Sequence, residues 1–180
     1  SGASTLTMQT ARLIKPELGS RTIRSKISQM LEALRIETHW SKEQILEAYF
    51  TLAPYGGNIE GVRAASSAWF QKQPGSLTLS EVALLVALPQ SPEMRRPDRF
   101  PERAHRAKAH VLSTVSRRLQ IDEVTLAEVV AERLPSQKRL PKSLAPHLMD
   151  RFSGKLPEGR TTLKKEWQIE VKDIVSESLR

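Results

Sequence analysis

At 180 residues the chain has room for one domain with its own core and an appendage. Its hydrophobic content of 39% and charged content of 27% are ordinary for a globular protein, and the absence of cysteine excludes disulfides and thiolate metal sites. No apolar run approaches the ~20 residues a membrane-spanning helix needs, and the net charge of +8 favours an anionic surface as partner.

In chain order, the hydroxyl-rich start comes first. Ser4 or Thr5 is positioned to cap a helix over residues 4–14 that ends ahead of Pro16. The stretch reads either as a well-capped helix or as a seat for an anion such as a phosphate, because the free N–H groups at a helix start carry partial positive charge. Gln9 and Arg12, spaced i and i+3, extend that polar surface. Residues 21–39 carry Ile23, Ile27, Met30, Leu31 and Leu34 at the spacing of an amphipathic helix. Ser41 with Gln44 forms a capping box for a helix that stops at Pro54, and Gly56-Gly57 makes a turn.

A helix over about 60–70 follows, then one capped by Thr78 with Glu81 that stops at Pro89. Pro101 suits the first turn of a long helix to about 119, and Asp122 or Thr125 opens a short one to about 133. Alternating strand patterns are scarce, so the expected fold class is all-α. Residues 135–160 are rich in Pro, Gly and Lys and read as a basic linker, and 161–180 as a terminal helix containing Trp167, Ile169 and Val171. Residues 133–165 hold nine Lys/Arg against two Asp/Glu, which suits a solvated linker or attraction to an anionic surface such as lipid headgroups.

The histidines His39, His105, His110 and His147 are scattered, and the i, i+5 spacing of His105 and His110 is poor for a shared metal, so no metal site is expected. A basic nucleic-acid-binding module is disfavoured, since the helix after Ser41 offsets Lys42 with Glu43 and Glu47 and makes a poor recognition helix.

Several blocks in fixed order then carry a resemblance. Gly2-Ala-Ser-Thr-Leu-Thr-Met-Gln9 is similar to G-G-S-T-[IL]-T-x-Q, and Lys26-Ile-Ser-Gln29 with Ala33-Leu-Arg-Ile-Glu37 to R-K-x-x-E followed by A-x-R-[LI]-E. Ser41-Lys-Glu-Gln-Ile-Leu-Glu-Ala-Tyr49, the Gly56-Gly57 turn, Trp69-Phe-Gln-Lys72, and Leu77-Thr-Leu-Ser-Glu81 with Leu88-Pro-Gln-Ser-Pro92 match later blocks. Together, over roughly residues 1–135, they resemble the peptidoglycan glycosyltransferases, the lysozyme-like domain of bifunctional penicillin-binding proteins.

The resemblance implies an all-α, lysozyme-like domain ending near residue 134. It implies polymerisation of lipid II into glycan strands with release of polyprenyl pyrophosphate, on the outer face of a bacterial inner membrane. The implied partners are lipid II, the growing strand and the membrane surface, with no nucleic acid, and Mg²⁺ is expected only in company with the substrate pyrophosphate. By the same resemblance, Arg12 and Lys26 fall on pyrophosphate-contacting positions, and Ser4, Thr5, Thr7 and Gln9 on the polar wall of the donor site. Arg24 is one step from the place of a family arginine, where this chain has Ser25, and Tyr55, next to two glycines, is the best aromatic candidate for touching a sugar.

Two departures bear on catalysis. The family's second acidic position is occupied by Gln29, which can hydrogen-bond a substrate but cannot take a proton. The general-base glutamate belongs to an E-D-x-x-F-x-x-H-x-G motif ahead of the G-G-S-T block, and these 180 residues do not contain it. The chain alone is therefore expected to be inactive in glycosyl transfer. The apolar surface that earlier helices would cover is expected to meet a partner, such as a second copy of the chain, or to be hidden by a rearranged helix. A non-catalytic cell-wall scaffold is the alternative reading.

Overall fold

The computed structural model describes residues 5–20, 22–139, 167, 170 and 171. The described residues form seven α-helices: α1 (Leu6–Ile14), α2 (Ile23–His39), α3 (Lys42–Leu52), α4 (Val62–Phe70), α5 (Leu79–Ala87), α6 (Pro101–Leu119) and α7 (Glu123–Ala131). Short 3-10 turns sit at Pro16–Gly19, Pro74–Ser76 and Leu88–Gln90. No strand occurs among these residues beyond an isolated bridge between Pro54 and Glu60. The fold class is all-α, as the helical periodicity implies. The chain divides into Ser1–Leu140 and Pro141–Arg180. Of the expected terminal helix, Trp167, Glu170 and Val171 are described and helical.

Most of the helix boundaries are set by local chemistry. Thr5 accepts from the Met8 N–H, Thr22 from that of Ser25, and Asp122 from that of Thr125. Both sequence-predicted capping boxes are complete, Ser41 with Gln44 and Thr78 with Glu81. Each satisfies backbone donors that a helix start leaves open.

The main core gathers Ala53, Tyr55, Ile59, Ala65, Ala68, Trp69, Leu84, Leu85, Leu88 and Ala104 around α4, α5 and α6. A fully buried cation ties this group to α7. The Lys108 ammonium on α6 donates to Ser80 Oγ on α5 (3.0 Å) and to the Glu132 carbonyl that ends α7 (2.7 Å). Burial pushes the Lys108 pKa down, and the nearby Glu132 charge opposes that shift. A smaller cluster of Ala11, Ile36 and Ile45 joins α1, α2 and α3.

Helix α2 is oriented against the usual rule. It buries Ser25, Gln29, Ala33 and Ile36, while Ile23, Ile27, Met30, Leu31 and Leu34 are all exposed, Ile23 at 83%. With ~100° per residue, the apolar stripe centres opposite Ser25. Among the described residues the stripe therefore faces outward.

The loop from Ala53 to Gly61 closes on itself through Tyr55 N–H to Ile59 O (2.8 Å) and Gly61 N–H to Ala53 O (3.0 Å). Gly56 (φ +83°) and Gly61 (φ +81°) lie in the left-handed region, where a Cβ would stand 2.6 Å from the Pro92 carbonyl oxygen and 2.7 Å from that of Thr51. These obstacles are backbone atoms and cannot swing aside. Replacing Gly56 by Ala should lower unfolding stability by about 2 kcal/mol or more. Gly75→Ala, at a site with nothing within 4 Å, should be close to neutral. Chemical denaturation of the two variants checks this.

Candidate functional site

The sequence-predicted site residues lie mostly on α1 and α2, which the turn Pro16–Gly19 connects. Thr5 is the N-cap of α1, so its oxygen is committed to the Met8 N–H; Ser4 lies outside the described residues. Thr7 is buried, and its hydroxyl donates to Glu37 Oε1 at 2.6 Å, fastening α1 to the far end of α2. Gln9 is half-buried.

Arg12 is exposed at the last turn of α1. Its Cγ and Cδ pass within about 4 Å of the place a Cβ on Gly19 would take. Its charge is also felt by Tyr49 on α3, whose phenol is pushed up chiefly by burial and drawn down by Arg12. Arg12 thus stands where α1, the turn and α3 meet.

On α2, Arg24 and Lys26 are both exposed, on either side of the inward-facing Ser25. Helical geometry places Lys26 on one ridge with Ala33 and Glu37, the side that meets α1, and Arg24 on the opposite ridge with Leu31 and Arg35. Lys26 lies in the first turn of α2, and the Arg12 stem lies near Gly19, which directly follows the residue that Ser25 and Gln29 hold. Arg24 points away from that ridge.

Two assignments require correction. Gln29, considered above as a catalytic-position residue, is buried, and its Nε2 donates to the Leu18 carbonyl at 2.5 Å. A carbonyl oxygen can be met only by a donor, so the amide orientation follows from the chemistry. Tyr55, the candidate for a sugar contact, has no exposed surface and belongs to the core. Its hydroxyl is enclosed without a hydrogen-bond partner among the described residues, and burial raises its pKa. A glycine neighbourhood looks open in sequence, but here the ring is the part that the turn wraps around.

Sequence reasoning also missed a polar network beneath Gly56-Gly57. Glu93 accepts from the Gly57 N–H (2.7 Å), Lys138 donates to the Gly57 carbonyl (2.6 Å), and Arg96 pairs with Asp98 (2.6 Å) and, at 3.4 Å, with Glu93. Lys138 belongs to the expected linker, yet it and Arg139, whose N–H donates to the Ala68 carbonyl at 2.8 Å, dock on the domain. The only sequence signal was the pair of glycines. A cavity of about 540 Å³ between α5 and α6, lined in part by Arg95, Arg103, Arg106 and His110, and one of about 390 Å³ lined by Ile14, Lys15, Glu32 and Trp40 among others, contain none of the predicted site residues. No group of three or more His, Asp or Glu side chains able to hold a metal occurs among the described residues.

With this geometry in hand, a family model described as transglycosylase matches residues 1–116. The chain belongs to the transglycosylase family. Penicillin-binding protein 1C of Escherichia coli K12 is 43% identical over 153 residues, covering 85% of this chain and 19% of that protein. The biosynthetic peptidoglycan transglycosylase of Shewanella denitrificans is 38% identical over 108 residues, 60% of this chain and 47% of that protein. A crystal structure of penicillin-binding protein 1A from Haemophilus influenzae aligns with TM-score 0.48 and 17% identity, covering 85% of this chain and 20% of that one. The chain thus spans about a fifth of the length of these penicillin-binding proteins.

The Arg96 network has a pH signature. The Arg96 guanidinium holds the Asp98 carboxyl below its usual range. A depressed carboxyl stabilises the fold above its unfolded pKa of about 3.9, and that contribution is lost as pH falls through the lower folded value. Asp98→Asn should therefore cost about 1–3 kcal/mol near neutral pH, with a difference from the parent chain that shrinks in acid. Denaturation midpoints measured across pH check it.

Proposed function

We propose that the protein containing this chain polymerises peptidoglycan glycan strands, transferring a sugar from a lipid-linked donor to an acceptor hydroxyl. The single observation that carries this reading is the transglycosylase match over residues 1–116, which includes every site position named above.

In that reaction the acceptor hydroxyl attacks C1 of the donor sugar, the bond from C1 to the diphosphate oxygen breaks, and the polyprenyl diphosphate leaves. Negative charge builds on the leaving oxygen, so fixed cations beside it lower the barrier. Arg12, whose stem lies near Gly19, and Lys26, in the first turn of α2, are the residues we assign to that task. Gln29 does not act as an acid or base. The proton of the attacking hydroxyl passes to a carboxylate base, a role the Gln29 amide cannot fill.

In the full-length protein, Arg12→Ala and Lys26→Ala should each lower lipid II polymerisation by about ten- to a hundredfold, in line with loss of one charge-stabilising contact. Unchanged turnover in both would remove the assignment. A parent protein that does not polymerise lipid II at all would favour the scaffold reading, which the structural use of Ser25 and Gln29 supports.

The same reading seats the domain on a lipid surface. The exposed stripe of Ile23, Ile27, Met30, Leu31 and Leu34 is flanked by Arg24 and Arg35 on one ridge and Lys26 on the other. An apolar face edged by cations suits the boundary between acyl chains and anionic headgroups. No helix among the described residues is long and apolar enough to cross a membrane. Binding to vesicles containing anionic lipid should weaken by about 1 kcal/mol or more for Leu31→Asn and again for Leu34→Asn. Vesicle binding unaffected by both, with concentration-dependent self-association of the parent chain that the variants abolish, would assign the stripe to a homodimer instead.

A further inference from the structure

Both departures from the family's R-K-x-x-E block converge on one atom. The Ser25 hydroxyl and the Gln29 amide each donate to the Leu18 carbonyl oxygen, at 2.5 Å. A carbonyl has two lone pairs, and here both are taken. Ser25 and Gln29 are i and i+4 on α2 and both buried, so they form one inward ridge. The turn is gripped elsewhere as well. The Leu18 N–H donates to the Lys15 carbonyl (3.0 Å), and Lys15 pairs with Glu32, one turn beyond Gln29, at 2.8 Å. Gly19, the next residue, is the surface on which the Arg12 stem lies.

We propose that Gln29 is a positioning residue: with Ser25 it clamps the Leu18 carbonyl, and through the Pro16–Gly19 turn it sets the place of the Arg12 guanidinium. This extends the reading of Arg12 as a diphosphate ligand. An ionised carboxylate at position 29 could not do the same, because it would set an acceptor against an acceptor in a buried place. The neutral amide is thus the group that suits this contact. The paired Ser25 completes the arrangement, its hydroxyl being the second donor to the same oxygen.

A carboxyl can replace the amide only when protonated, as an O–H donor. Its pKa in the folded chain would therefore lie above the usual ~4.3 of glutamate, and the contact would be present in acid and lost as pH rises. That sign separates a clamp from a general loss of packing.

The test uses the full 180-residue chain with Gln29→Glu and Gln29→Met. Three readouts are followed: hydrogen exchange of the amides at 17–20, the Arg12 Nε–H resonance, and binding of inorganic pyrophosphate. At about pH 7 both variants should lose protection at the turn, shift the Arg12 resonance, and bind pyrophosphate about three- to tenfold more weakly, as expected for one lost hydrogen bond. Near about pH 4.5 Gln29→Glu should return toward the parent chain in protection and in the Arg12 resonance, and Gln29→Met should not.

An Arg12 resonance that stays in place in both variants overturns the proposal, as does equal behaviour of Glu and Met at the two pH values. Gln29→Met also excludes simple charge repulsion, because it carries none. If Arg12→Ala binds pyrophosphate as well as the parent chain, the diphosphate reading of Arg12 fails on its own. The clamp is then judged by exchange and resonance alone.

Discussion

The Leu18 carbonyl is the point on which the candidate site depends. Its two lone pairs are met by two donors one turn apart on α2, the buried side chains of Ser25 and Gln29. With the burial of Ala33 and Ile36, this contact sets which side of α2 faces inward. It also holds the turn between α1 and α2, and so decides where the end of α1 and its Arg12 lie. Thr7 and Glu37 fasten the opposite end of the same pair of helices. Between these two polar ties the apolar contact is small, made by Ala11, Ile36 and Ile45.

The other half of the described structure is organised differently. There a closely packed cluster around Trp69, Leu84 and Leu88 dominates, and the polar ties act at its edges. Lys108 is the exception, a cation taken fully into the interior with Ser80 and the end of α7 as its partners. Removing such a group without its partners leaves buried acceptors unmet, so it holds three helices in fixed relation. The Gly56-Gly57 turn, with Glu93, Arg96, Asp98 and Lys138 around it, closes the other edge. The half that carries the family's cationic positions thus has the thinner core, while the well-packed half serves as its support.

Helix starts were legible in the sequence because a cap is a local event. Thr5, Ser41, Thr78 and Asp122 each bond an N–H three residues on, and nothing distant is needed to place them. The all-α class follows from the same periodicity, and the family from blocks of residues in order. The site was legible only in part. Arg12 and Lys26 could be named from their blocks, whereas the burial of Tyr55 and the bond made by Gln29 could not. Each depends on what another segment places opposite it, the wrapped glycine turn in one case and the Leu18 carbonyl in the other.

Helix α2 states the division most plainly. Its sequence determines that Ile23, Ile27, Met30, Leu31 and Leu34 lie on one face and Ser25 and Gln29 on the opposite one, because 3.6 residues make a turn wherever the helix stands. It does not determine which face meets the protein. Only the tertiary structure decided that, by presenting a carbonyl with two open lone pairs to the polar face and leaving the apolar one to the outside. Periodicity carries the phase of a stripe, and the partner across from it is information held by the rest of the chain.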